Sequence, residues 1–289
     1  MTAVQVDPSP TVPVSMARSW RLVSAASIGA AGAAELTAAD VTLLDLEAGC
    51  PDDLKSTGRD AIARHADAVD ADAVDMGAVD TGAGSAVWIR LNGATTRDWT
   101  DDVALAAGHP GITGVMLAMT ESGDEVRATL DAVGKPVVAM VETARAFVHL
   151  GEIATSGAAR IAFGTGDFRR DLGIGNDPTA LLHARSQLVL MSRGHDLPPP
   201  IDGPTVVDDA ETTRADSVHA RSLGMTGRLC LSHTHTIVVN EVFAPSSTDV
   251  HAARALLAAP PEGYAGAVAP RLAHARQVLH RAGVFGVDC

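Results

Sequence analysis

Eight short apolar runs recur along this chain, each followed by a more polar, often Ala-rich stretch. They are "RLVSA" (21–25), "VTLLDLE" (41–47), "AVWIRLN" (86–92), "GVMLAM" (114–119), "PVVAMVE" (136–142), "ARIAFG" (159–164), "PPIDGPTV" (199–206) and "RLCLS" (228–232). Intervening segments such as "SGDEVRATLDAV" (122–133) and "PTALLHARSQLVLMSRG" (178–194) carry helical spacing. Strands that are apolar without interruption are buried on both faces, as happens when helices cover a parallel sheet. Eight such units in about 210 residues close most economically as a (β/α)8 barrel, a TIM barrel. A doubly wound open sheet is the competing arrangement. The 289 residues, 46% of them hydrophobic, suffice for one full-sized core.

Three segments fall outside the repeating pattern. Residues 1–17 are rich in proline and predict a flexible arm, with neither the basic start nor the apolar centre of a signal peptide. The acidic repeat "DAVDADAVDMGAVDTGAG" (67–84) predicts a mobile loop inside the barrel region, 18–245. It lacks the Gly and Glu positions of an EF-hand calcium loop. Residues 246–289 predict two further helices around a Pro/Gly-rich hinge, available for packing on a neighbouring subunit.

Charge and cysteine content narrow the function classes. The net charge is 22 − 35 = −13 with no basic stripe, which argues against a nucleic-acid partner. No apolar run approaches the roughly 18 residues of a membrane span. Cys50, Cys230 and Cys289 are scattered and in no metal spacing, as expected for reduced thiols of a cytoplasmic protein.

In a barrel of this kind chemistry gathers where the strands end. Strand two ends with Asp45 and Glu47, strand three with Arg90 and Asn92, strand five with Glu142, and Asp167 follows strand six. Asp202 lies on strand seven, and His233 and His235 fall in the loop after strand eight. For any one of these, a hydrogen bond to loop backbone is the competing reading. Glu142 and Asp167 together suit Mg²⁺, which takes one or two protein carboxylates and leaves positions for substrate oxygens. Arg90 opposite would clamp a carboxylate or steady an enolate, with Glu142, Asp45 and Glu47 completing the substrate-binding set. The two lysines, Lys55 in a polar helical region and Lys135 before strand five, leave no amine at the mouth for Schiff-base chemistry.

The motifs "RLNG", "GVML", "VETARA", "IAFGTGDFRRDLG", "ARSQLVLMSRGHDLPPPIDG", "LGMTGRLC" and "VVNEVFAPS" occur in an order that resembles the citrate lyase beta-subunit-like proteins of the HpcH/HpaI aldolase superfamily, relatives of malyl-CoA lyases. The resemblance spans about Arg18 to Gly283. It implies Mg²⁺-dependent cleavage or condensation of carbon–carbon bonds in 2-oxo or 3-hydroxy acids or acyl-CoA esters, and a homotrimer. It marks Glu142 and Asp167 as metal ligands and Arg90 as the arginine on substrate oxygens. Departures are several. The first loop, "LVSAAS", lacks the Pro, Gly and Arg that help hold CoA, and Ala48 replaces an acid after strand two. Ala118-Met119 stand where Pro-Lys is usual, Ser232 where a His is usual, and Val268 where the tail supplies an Asp to the neighbour. His233 and His235 are candidates to replace the lost acid–base group, solvated loop histidines being the alternative. A catalytically silent paralogue is therefore the second functional reading.

Overall fold

The computed structural model describes residues 12–30, 38–75, 86–175 and 177–287. Eight strands, β1 (Ser19–Ser24), β2 (Val41–Asp45), β3 (Ala86–Leu91), β4 (Ile112–Leu117), β5 (Val137–Val141), β6 (Arg160–Phe163), β7 (Ile201–Asp202) and β8 (Gly227–Cys230), follow one another in a closed barrel. All pairings are parallel, and β8 returns to β1 through Ser19↔Arg228 and Trp20↔Leu229. Every apolar run yields a strand. The seventh shrinks to two residues because the prolines of "PPPIDGP" remove ladder donors on both sides.

Alternation along the strands divides the core into two shells. Trp20, Leu43, Trp88, Met116, Val138 and Met140 point into the barrel, while Leu44, Ile89, Val115, Leu117, Ala139 and Ile161 face the helices. Inside, the Trp20 and Trp88 rings meet edge to face at 5.3 Å. Gly114 admits the second ring: a Cβ there would stand 2.4 Å from it.

The N-terminal end of the barrel is shut by Arg160, which is fully buried. Its guanidinium donates to the carbonyls of Pro199 (2.6 Å), Val14 (3.2 Å) and Ala17 (2.7 Å) and to Thr226 Oγ1 (2.8 Å). Burial among neutral acceptors pulls its pKa down to about 9. Residues 12–17, expected within a loose arm, are thus held against the barrel floor; residues 1–11 lie outside the described residues.

The helices are α1 (Lys55–Asp75), α2 (Asp98–Gly108), α3 (Gly123–Val133), α4 (Ala144–Val148), α5 (Leu150–Ala154), α6 (Thr165–Leu172), α7 (Pro178–Gly194), α8 (Ala210–Ser222), α9 (His233–Phe243), α10 (Ser247–Ala258) and α11 (Ala265–Val284). The acidic segment needs correction: residues 67–75 continue α1, since its alternating alanines favour helix more than its aspartates oppose it. Asp67 there stands 2.7 Å from His109 Nδ1. Residues 76–84 of the same expected loop lie outside the described residues.

The two tail helices pack on each other, burying Val250, Ala253, Ala275 and Ala282, with Leu256, Leu257, Leu272 and Leu279 half-buried. Arg281 donates to the Phe243 carbonyl, and the Phe285 ring lies 4.1 Å from the Arg18 guanidinium, which anchors the end of α11 to the barrel. Among the described residues no helix is long and apolar enough to cross a membrane.

Candidate functional site

The same two-residue period that fills the barrel with Leu43, Trp88 and Met140 carries Asp45, Arg90 and Glu142 inward one step later, at the mouth. Asp45 and Arg90 face each other in register on β2 and β3. They form a bidentate pair, Nε–Oδ1 at 2.7 Å and Nη2–Oδ2 at 2.6 Å. Asp45 also accepts the backbone N–H groups of Glu47 and Gly49, both at 2.9 Å. Both oxygens are therefore engaged within the chain, so Asp45 positions Arg90 rather than meeting substrate as the sequence suggested. Glu47 Oε2 lies 3.2 Å from Arg90 Nη2 without hydrogen-bond geometry. Burial alone would weaken the Arg90 charge. The attraction and hydrogen bonds of Asp45, helped by Glu47 and Glu142, overcome it and hold the guanidinium above its ordinary pKa. Nη1 has only the Met140 sulfur, at 3.9 Å.

Glu142 is buried immediately after β5. Its Oε1 accepts the Met119 backbone N–H at 2.8 Å, while Oε2 is buried without a hydrogen-bond partner. Gly164, at the end of β6, is what makes room: a Cβ there would stand 2.1 Å from Oε2. Desolvation pushes the carboxyl up to about 8, with the Glu47 and Asp167 charges adding to it and Met119 and Arg90 opposing.

Met119 was not singled out by its residue type. It sits in the left-handed region at φ 49, where a side chain is uncommon, and this turn of the chain aims its N–H at Glu142. Such backbone strain is held in place by its surroundings. Met119→Val, which adds a β-branch at that dihedral, should cost about 1–3 kcal/mol, whereas Met119→Gly should leave the melting temperature nearly unchanged. Thermal unfolding of the two variants checks this; equal losses would mean that the side chain, and not the backbone, matters.

Asp167 stands in the first turn of α6, 23% exposed, with Oδ1 2.6 Å from Arg170 Nη2 on the solvent side. Among the described residues no group of three or more His, Cys, Asp or Glu side chains is assembled for a metal. The residues nonetheless suit a divalent ion held by two carboxylates. A buried oxygen lacks a partner, and burial together with the Asp167 charge disfavours the charged carboxylate that carries it, a cost that a bound cation would offset.

A family model described as HpcH/HpaI aldolase/citrate lyase matches residues 20–233. The chain belongs to this family. Citrate lyase subunit beta-like protein of Deinococcus radiodurans is 31% identical over 60% of this chain and 63% of its own length, so the match spans a little under two thirds of that relative. (3S)-malyl-CoA thioesterase of Cereibacter sphaeroides is 28% identical, over 77% of this chain and 75% of that protein. Among solved structures, protein CitE of Mycobacterium tuberculosis in complex with magnesium, acetoacetate and coenzyme A superposes with a TM-score of 0.73. It is 26% identical, and the superposition covers 93% of this chain and all of that one. The family's description names aldolase and citrate lyase, one relative is named for thioester hydrolysis, and the barrel is shared with the solved CitE structure.

Within this family member, the remaining sequence candidates separate into mouth and scaffold. The two histidines start helix α9 instead of lying in a loop. His235 is buried; its Nε2 donates to the Val207 carbonyl at 2.9 Å and its Nδ1 accepts the Leu231 N–H at 3.2 Å, so it braces two loops. His233 is exposed, and its imidazole bonds no described residue. Asp202 is buried on the outer face of the sheet between Arg185 and Arg228, an ion-pair role away from the mouth. Asn92 bonds Asp102 and the Leu46 carbonyl. Lys55 stands nearer the rim than expected, but its Nζ is taken by Asn92 Oδ1 (2.7 Å) and Asp52 (2.9 Å). Lys135 is spent on the Ala106 and His109 carbonyls.

Proposed function

We propose that this chain is a Mg²⁺-dependent carbon–carbon lyase acting on a small 2-oxo or 3-hydroxy acid or its acyl-CoA ester. The observation that carries the reading is the unpartnered, buried Oε2 of Glu142 at a mouth where Arg90 is already oriented. Glu142 and Asp167 would hold the ion, which supplies Lewis-acid polarisation of substrate oxygens when bound. Arg90 directs Nη1, which holds only the weak Met140 sulfur contact, at a substrate carboxylate or the oxyanion formed on cleavage. Asp45 fixes that guanidinium before substrate arrives, so no reorganisation is needed during the reaction. The proton role falls to His233, exposed and free of described partners, because His235 is consumed by backbone. Product formation from a panel of such acids, with and without EDTA, tests the proposal; turnover undiminished by chelation would remove the metal from it.

A silent paralogue is the second reading, favoured by the engagement of His235 and by Val268 where the resemblance expects an acid. It predicts metal and ligand binding with no turnover by any acid in the panel. Loss of Pro, Gly and Arg from the first loop supports weak or absent CoA binding in either case. The buried free thiols Cys50 and Cys230 suit the cytoplasm.

We also propose a homotrimer. A groove of about 680 Å³ between α10 and α11, walled by Leu256, Pro270 and Val278, leaves apolar surface for a neighbour. Light scattering at micromolar concentration should give three times the 29.7 kDa chain mass. Val268→Asp should leave it unchanged. A monomer would end the assembly proposal.

A further inference from the structure

Outside the barrel, between β7–β8 and helices α7 and α8, lies a second cavity of about 350 Å³. It is separate from the mouth: Arg228 and Asp202 alternate with the inward-facing Leu229 and Ile201, and neither Arg90, Glu142 nor Asp167 lines it. Three arginines do line it, from α6, α7 and β8. The Arg169 guanidinium makes no hydrogen bond or ion pair with any described residue, while its backbone carbonyl accepts from Ile174. Arg185, 7% exposed, gives Nε to Asp202 Oδ1 at 3.0 Å, and its two terminal guanidinium nitrogens bond no described residue. Arg228, 2% exposed, reaches Asp202 and Asp216 through its terminal nitrogens, yet its Nε is buried with no partner. His219 adds a second buried nitrogen, Nε2, without one.

Charge balance then indicates what belongs there. Three guanidiniums face two carboxylates, Asp202 and Asp216, leaving one uncompensated cation in a chain of net charge −13. A guanidinium fork matches a carboxylate geometrically, and unpaired buried donors are costly until an acceptor arrives. The lining also has an apolar part, formed by Leu181, Pro204 and Val207.

We propose that this cavity binds a small organic monocarboxylate with a short apolar body, the carboxylate toward Arg169 and Arg185 and the body against Leu181 and Val207. Titration calorimetry of the full chain with acetate, butyrate and hexanoate tests it. Affinity should rise along the series, up to about fourfold for each methylene buried. Arg169→Gln, which breaks no existing bond, should weaken hexanoate about tenfold or more. Val207→Asp, which sets a carboxylate in the apolar part of the lining, should do the same, and Arg169→Gln should not lower the melting temperature of the free protein. Inorganic phosphate should bind more weakly than hexanoate. Flat affinity along the series, or phosphate binding tighter than hexanoate, would overturn the ligand class. Unaltered hexanoate binding by Arg169→Gln would overturn the site, placing the anion elsewhere, and absence of binding by all three acids would overturn both.

Discussion

Glu142→Gln should weaken Mg²⁺ binding by more than about a hundredfold, since it removes one of the two charged ligands proposed above. It should also change how stability depends on pH in the metal-free protein. Glu142 has a folded-state pKa of about 8 against an ordinary 4.5. Between those values the folded chain keeps a proton that the unfolded chain has released, so wild-type stability falls as pH rises. The contribution is complete below the unfolded pKa and lost by the time pH passes the folded one, at up to about 1.4 kcal/mol per pH unit. Glutamine carries no such proton. Differential scanning calorimetry from about pH 5 to about pH 8.5 should therefore show the variant gaining on wild type as pH rises, then levelling off. Mg²⁺ binding by wild type should release nearly one proton at neutral pH and tighten by about tenfold per unit toward pH 8. Proton-independent binding, or parallel stability profiles, would remove Glu142 from the metal site.

Asp45→Ala should be the most destabilising single change at the mouth. It leaves the Arg90 side chain, 8% exposed, with Glu47 as its nearest remaining carboxylate in a misaligned contact. It also deprives the Glu47 and Gly49 N–H groups of their acceptor. Breaking a buried pair from one side costs about 3–5 kcal/mol, which for a chain of this length lowers the melting temperature by roughly 10 °C. Arg90→Met combined with Asp45→Leu removes both charges together and should recover much of that loss. On the proposed function turnover should not recover, because the guanidinium assigned to the substrate carboxylate has gone. Full stability in Asp45→Ala would mean that water satisfies Arg90, and that the pair does not preorganise the site.

The barrel was legible because eight apolar runs, each bounded by a polar or Pro/Gly stretch, leave little freedom in closure. Inward placement of Asp45, Arg90 and Glu142 also follows from their parity with Leu43, Trp88 and Met140. What the sequence concealed were matters of backbone direction and competition. Nothing about a methionine announces φ 49, so the donor at Met119 was invisible even with Ala118-Met119 already marked as unusual. His235 resembled a free imidazole until the Val207 carbonyl and Leu231 amide were seen to claim both nitrogens. Asp202 shares its two-residue strand with the inward-facing Ile201, so its own parity points to the helices. The Ala-Val-Asp repeat looked acidic and loose, and its alanines carried α1 through Asp75.

Arg160 ties together parts of the chain that are made at very different times during synthesis. Its acceptors lie 146 and 143 residues before it and 39 and 66 residues after it. Until Val14, Ala17, Pro199 and Thr226 have all arrived, a guanidinium destined for the interior must stay in water, so the barrel gains little from closing early. The floor therefore works as a checkpoint on completeness: an N-terminal strand, six parallel neighbours and the return of β8 are accepted together or not at all. A chain of eight near-equivalent units could otherwise settle with seven, and the cation at the bottom makes that shorter ring unfavourable.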